Sequence, residues 1–329
     1  MNTVVCMQGQ AVNSNFFLQT NNWKSPKKID IKKLVSKDFV CRPSQDRLEK
    51  VYNLTLKTES GVIVSARFYD RNSDFVIIAG QGLTACKEAM VEHAELFKEY
   101  DLIIFDYRWN GKYEKFLAKS IATCSPVQKV LLNEVEEVQA VINFVKEHKK
   151  YSRVIGLGKC YSSFLFAKIQ IDSVRRSGKG PFTHFIFDSC WYSLRLLAER
   201  ICYDPLLPVS PQVGGASWLA KKITNNKLFK GVALGSVFGL IRDISIKRYL
   251  SLLDIPVLFI HGQYDLFIPL SHFHKMWNVS NCSSRAVLFT PYRHSDNLHD
   301  ENLYYHISHK FITSSCMKEF EDKCREIIA

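Results

Sequence analysis

The chain has 329 residues, 47% of them hydrophobic and 23% charged, a balance that excludes a disordered or fibrous protein and leaves length for one large α/β domain or two smaller ones. The net charge of +12 suits an anionic partner, but the basic residues are scattered from Lys24 to Lys230 and form no recognisable nucleic-acid motif. Ten cysteines without a Cys-x-x-Cys pair, behind an N-terminus that lacks a basic segment and a long apolar core, point to free thiols in the cytoplasm rather than to a secreted disulfide scaffold.

Residues 1–48 are polar, basic and poorly periodic, and read as an N-terminal extension, ordered in part at most. Val51 to Lys57 alternates as a half-buried strand should, Glu59-Ser60-Gly61 is a turn, and Val62 to Tyr69 alternates again, so the pair reads as a hairpin. The pattern then changes to short, unbroken apolar runs. Phe75 to Ala79 ends at Gly80-Gln81-Gly82, and Leu102 to Phe105 ends at Asp106-Tyr107-Arg108. Val154 to Leu157 runs into Gly158, and Phe185 to Phe187 ends at Asp188-Ser189. Val257 to Ile260 ends at His261-Gly262, and Ala286 to Phe289 at Thr290-Pro291. Such runs suit parallel strands buried on both faces. Helical stretches lie between them: from Pro126 to Lys149, apolar residues such as Val127, Val130, Leu131, Val138, Val141, Ile142 and Val145 recur at helical spacing. Strands alternating with helices predict an α/β fold with a mostly parallel, doubly wound sheet.

Residues 191–250 break this rhythm with Pro205, Pro208, Pro211, Gly214, Gly215 and apolar helical pieces. They read as a helical cap inserted into a core formed by residues 49–190 and 251–329. An ordinary long crossover is the plainer arrangement, but this interval exceeds a normal connection. The longest apolar run, Gly231 to Ile241, is shorter than the ~20 residues of a membrane span. No transmembrane segment is expected, although the basic balance is compatible with peripheral membrane contact. Nothing in the sequence fixes an oligomeric state.

Gly158-Lys159-Cys160-Tyr161-Ser162 joins an apolar run to a helical stretch beginning Phe164-Leu165-Phe166-Ala167. This is the layout of a nucleophile elbow, a sharp strand-to-helix turn that requires small residues two before and two after its centre. Here those are Gly158 and Ser162, and the central residue is Cys160. Three further positions follow predicted strand ends, where an α/β sheet builds its crevice. They are Asp265 in His261-Gly262-Gln263-Tyr264-Asp265, His294 in Arg293-His294-Ser295-Asp296-Asn297, and the loop Gly80-Gln81-Gly82.

With the elbow, the Pro256 to Asp265 segment, the Asp106-x-Arg108 turn and the His294-Ser295-Asp296-Asn297 segment in this order, the chain resembles the α/β-hydrolase superfamily over about residues 50–313. The resemblance is to the lysophospholipase, thioesterase and serine-aminopeptidase-like branch, with Cys in the elbow as in dienelactone hydrolases. It implies an α/β-hydrolase fold and a Cys160–His294–Asp265 triad. The backbone N–H of Tyr161 and that of Gln81 or Gly82 would form an oxyanion hole. Ala79 stands where the family usually has His before the glycine, and that histidine is not catalytic. Lys159 and the helix N-terminus would favour a thiolate. Asp188 is the alternative acid and His299 the alternative base. Ser162 and Ser163 are rival nucleophiles, but neither has small residues at the required spacing.

His272-x-His274 and His306-x-x-His309 lack an accompanying Cys or carboxylate at zinc-like spacing and read as surface histidines on helices, so neither metal nor cofactor is expected. The expected activity is hydrolysis of a small-molecule ester, thioester or lactone. The cap aromatics Trp191, Tyr192, Trp218, Phe229 and Phe238 suit an apolar acyl group. The alternative is a hydrolase fold without turnover, serving as a binding or regulatory protein.

Overall fold

The computed structural model describes residues 16–22, 24–30, 49–82, 85–108, 134–193, 196, 245–280, 282, 284–294 and 296–328. Ten strands form a single mixed sheet. They are β1 (Phe17–Thr20), β2 (Lys27–Lys28), β3 (Lys50–Lys57), β4 (Ile63–Asp70) and β5 (Phe75–Gly80), followed by β6 (Asp101–Phe105), β7 (Arg153–Lys159), β8 (His184–Asp188), β9 (Val257–Gly262) and β10 (Arg285–Thr290). Their order across the sheet is β2-β1-β10-β9-β8-β7-β5-β6-β4-β3. The six strands from β6 to β10 through β5 are mutually parallel. The expected hairpin is β3–β4, in antiparallel register from Lys50↔Asp70 to Lys57↔Ile63.

The unbroken apolar runs are explained by a core on each face. In β5, Val76 and Ile78 join one cluster while Ile77 and Ala79 join the other. Helices α2 (Glu134–His148), α3 (Tyr161–Ser177), α4 (Lys247–Leu250) and α5 (Leu270–Val279) contribute to the first. Helices α1 (Val91–Leu96), α6 (Glu301–Thr313) and α7 (Met317–Cys324) contribute to the second. Both sides of the parallel strands are thus shielded from water, as this sheet type requires. In the helix expected from Pro126 to Lys149, residues 126–133 lie outside the described ones, and the remainder is α2.

Two strands come from within residues 1–48. β1 pairs antiparallel with β10 from Phe17↔Phe289 to Thr20↔Ala286, and Ile29 bridges Ile328. Phe16, Leu18 and Ile29 are buried there. Most of the interval expected as a cap lies outside the described residues. Its ends, however, meet: Ser193 bridges Ser245, and Ser245 Oγ donates to the Tyr192 carbonyl at 2.8 Å. Among the described residues no helix is long and apolar enough to cross a membrane. The six described cysteines are all free thiols.

The chain runs from β5 to β6 on one side, then returns to β7 on the other side of β5. Ligand crevices of open α/β sheets form at such a reversal, beyond the strands' C-terminal ends. Gly80-Gln81-Gly82 and Cys160 both emerge there.

Candidate active site

β7 ends at Lys159, and Cys160 makes the turn into α3 with φ 52° and ψ −102°. A residue with a side chain rarely adopts this conformation, which costs roughly 1–3 kcal/mol and persists only where the surroundings enforce it. Part of that enforcement is the Cys160 N–H, which donates to the Asp188 carbonyl at 2.8 Å. Gly158 supplies another part, because a Cβ there would lie 2.6 Å from the Ser163 backbone nitrogen. The strand can therefore meet the first turn of the helix only without that side chain. The first backbone N–H groups of α3 precede the helix's own hydrogen-bond ladder, at the positive end of its dipole.

Asp265 follows β9 and is 3% exposed. Its Oδ1 accepts from the Ile268 N–H at 2.7 Å, and its Oδ2 lies 2.7 Å from His294 Nδ1. A carboxylate only accepts, so Nδ1 is the donor toward Asp265, and Cys160 is the second side chain that favours the protonated imidazole. Burial opposes a charge on this imidazole. The hydrogen bonds with Asp265 and Cys160, and the charges of both groups, outweigh it and push His294 up to about 10. Beneath the Asp265 turn, buried His261 meets the Ile268 carbonyl through Nε2 at 2.9 Å. The Phe267 ring packs against His294 with centroids 5.5 Å apart.

The alternative residues occupy other places. Asp188 Oδ1 accepts from Asn297 Nδ2 at 2.5 Å and from Ser189 Oγ at 2.9 Å, while Oδ2 faces the Tyr304 hydroxyl at 3.4 Å. Its carboxylate is enclosed in that network, which Thr290 extends by donating to Asn297 Oδ1. His299 packs on Tyr292, their rings 5.3 Å apart. Ser162 and Ser163 are fully buried and donate to the carbonyls of Gln81 and Gly158.

Gly82 sits beside the nucleophile position, since a Cβ built on it would lie 3.7 Å from Cys160 Cβ. Tyr161 is held by its hydroxyl, which donates to Glu134 Oε2 at 3.2 Å, and by the Trp191 ring stacked at 6.5 Å. Burial, with a contribution from the Glu137 charge, pushes Glu134 up to about 8. The Lys159 charge reaches His93 of α1, whose imidazole is held well below its usual range mainly by burial.

Two sequence expectations change here. His272 and His306 are buried rather than on the surface, because α5 and α6 pack into the two core clusters. His309 is partly exposed and bonds the Tyr100 hydroxyl through Nδ1 at 2.6 Å. Among the described residues no group of three or more His, Cys, Asp or Glu side chains could hold a metal ion. Trp191, expected in an acyl-binding cap, is 1% exposed and stacks on Phe164 at 5.4 Å as part of the core. Trp218, Phe229 and Phe238 lie outside the described residues. Sequence reasoning overlooked Asn297 as a buried bridge and Ser162 as the partner of the Gln81 carbonyl; the small-residue position after Cys160 was the available signal for the second.

No protein-family model and no curated protein sequence matches the chain. Solved structures do. An esterase from Pyrococcus furiosus aligns with a TM-score of 0.60 at 16% identity, over 80% of this chain and 90% of that one. A hydrolase from Pseudomonas aeruginosa aligns with a TM-score of 0.54 at 14% identity, over 80% and 98%. An esterase from Exiguobacterium antarcticum aligns with a TM-score of 0.53 at 13% identity, over 80% and 100%. Strand order, elbow and these alignments agree that the chain has the α/β-hydrolase fold.

Proposed function

We propose that the chain is a cytoplasmic hydrolase of carboxylic ester, thioester or lactone bonds that acts through Cys160, His294 and Asp265. The observation that carries this reading is the Asp265–His294 pair, joined at 2.7 Å, with Cys160 acting on the same imidazole. Cys160 passes its thiol proton to His294 Nε2, giving a thiolate beside an imidazolium that Asp265 orients. The sulfur attacks the acyl carbon, a C–S bond forms, and the carbonyl electron pair moves onto oxygen. The Tyr161 N–H and that of Gln81 or Gly82 receive this oxyanion, each such donor being worth roughly 3–4 kcal/mol in the transition state. Collapse breaks the bond to the leaving group, which takes the proton from His294. Water then gives a proton to His294 and attacks the thioester. The second collapse releases the acid, and the sulfur takes its proton back.

Tyr264 and Leu266, both largely exposed, flank Asp265 and favour an apolar acyl group at the rim. The cap expected over residues 191–250 belongs to the same proposal, its described ends meeting where Ser193 bridges Ser245. A thiol-selective alkylator is expected to label Cys160 fastest of the ten cysteines and to abolish hydrolysis of short-chain p-nitrophenyl esters. Uniform slow labelling with hydrolysis retained would count against the reading. The competing reading, a fold without turnover, is favoured by Cys in the elbow and by Ala79 before Gly80. It is supported instead if Cys160→Ser gains esterase activity that the parent lacks.

A further inference from the structure

Ser162 stands two residues beyond Cys160, where the elbow asks only for a small side chain. Its hydroxyl nevertheless has two partners, and all three groups are buried. Ser162 Oγ bonds the Gln81 main-chain carbonyl and lies 2.6 Å from the Tyr107 hydroxyl. A hydroxyl carries one proton and a carbonyl can only accept, so that proton goes to Gln81 and Tyr107 donates the second bond. The fit is close, since a Cβ on Gly80 would lie 2.6 Å from Ser162 Oγ. Ser162, Tyr107 and Gly80 thus interlock beneath the loop after β5.

The Gln81 carbonyl and the Gly82 N–H belong to one planar trans peptide unit and point in opposite directions. Fixing the carbonyl on Ser162 therefore fixes the N–H, aimed away from Ser162. Gly82 is also the loop residue close to Cys160, at the 3.7 Å given above for a Cβ. We propose that Ser162 is a positioning residue that locks the Gln81–Gly82 peptide, so that the Gly82 N–H is held as the second oxyanion donor beside Tyr161. The inference rests on the reading of Cys160 as an acyl-transfer nucleophile. Because Ser162 shares the first turn of α3 with Tyr161, one hydroxyl registers both halves of the hole. Alanine or glycine would satisfy the elbow equally well but leave the loop peptide free to turn.

Two reactions of Cys160 isolate this role. Acylation by p-nitrophenyl acetate passes through an oxyanion. Alkylation by iodoacetamide is a direct displacement that needs the sulfur and His294 but no oxyanion hole. In Ser162→Ala the acylation rate constant is expected to fall about 10- to 100-fold while Cys160 alkylation stays within about twofold of the parent. Tyr107→Phe keeps the Ser162–Gln81 bond and should hold both rates within about threefold. The double variant Ser162→Ala/Tyr107→Phe, which removes the stranded hydroxyl, should repeat the acylation loss and serves if the single variant does not fold. A folded Ser162→Ala protein acylated within about threefold of the parent overturns the inference, as does a parallel fall in both reactions. A parent whose Cys160 is alkylated but never acylated overturns the reading beneath it, and the inference with it; a normally acylated parent with indifferent Ser162 variants overturns the inference alone.

Discussion

Asp265 and His294 come from turns after neighbouring strands, β9 and β10, and meet at 2.7 Å through Oδ2 and Nδ1. The other carboxylate oxygen is committed to the Ile268 N–H, so the acid cannot turn away from the histidine without breaking its own loop. Asp188, one strand further in, is held just as firmly but by Asn297 and Ser189.

This separation makes the two acids distinguishable by mutation. Asp265→Asn keeps the shape but presents a donor or a neutral oxygen to Nδ1, which favours the wrong tautomer. Ester hydrolysis is expected to drop by about 10³- to 10⁴-fold in kcat with the fold retained. Asp188→Asn should instead lower stability by about 1–3 kcal/mol through its mismatched partners, with kcat of the folded fraction within about tenfold. Steady-state kinetics with chemical unfolding curves check both outcomes.

His294 gives a pH dependence whose sign is fixed. Its protonated form is favoured in the folded state, with the transition moved from near 6.5 up to about 10. The stabilisation it contributes is therefore complete below pH 6.5 and is lost as pH rises toward 10. The difference in Tm between the parent and His294→Gln should shrink across that window. Cys160→Ala removes one hydrogen bond and one charge, so an NMR titration should find the His294 transition lower than in the parent.

Glu134 behaves in the opposite sense to an ordinary surface carboxylate. Burial disfavours its charged form and holds its transition near 8 instead of 4.5. Ionisation in the unfolded chain then costs the native state stability progressively from pH 4.5 to about 8. Glu134→Gln is expected to raise Tm relative to the parent at pH 8, and to leave it nearly unchanged at pH 4. Thermal unfolding at the two pH values checks the crossover.

Gly158→Ala tests the elbow itself. The added methyl meets backbone rather than a movable side chain, 2.6 Å from the Ser163 nitrogen. Strand and helix must separate, at a cost of about 1–3 kcal/mol by unfolding measurements, and acylation of Cys160 should be lost with the displaced helix start.

The hairpin, the buried parallel strands and the positions of Cys160, Asp265 and His294 were legible because each depends on local pattern or on the end of a predicted strand. Residues 17–20 were not, because a four-residue segment in a basic, aperiodic stretch gains its strand conformation from the free edge of β10. Buried His272 and His306 carry no sequence mark that separates them from exposed histidines at helical spacing. Glu134, set among Glu136 and Glu137, reads as part of a solvated helix face, and only its burial in the folded chain gives it a different character. The Ser162–Gln81 bond joins residues 81 positions apart and depends on β5 lying beside β7.

The nucleophilic role of Cys160 is tested most directly by rapid mixing of the parent with p-nitrophenyl acetate, followed by mass analysis of the trapped protein. The account predicts a burst of about one equivalent of p-nitrophenol, an acetyl group on Cys160, and the loss of both in Cys160→Ala. Hydrolysis that persists undiminished in Cys160→Ala, or a burst whose acetyl group is found on another residue, would contradict it.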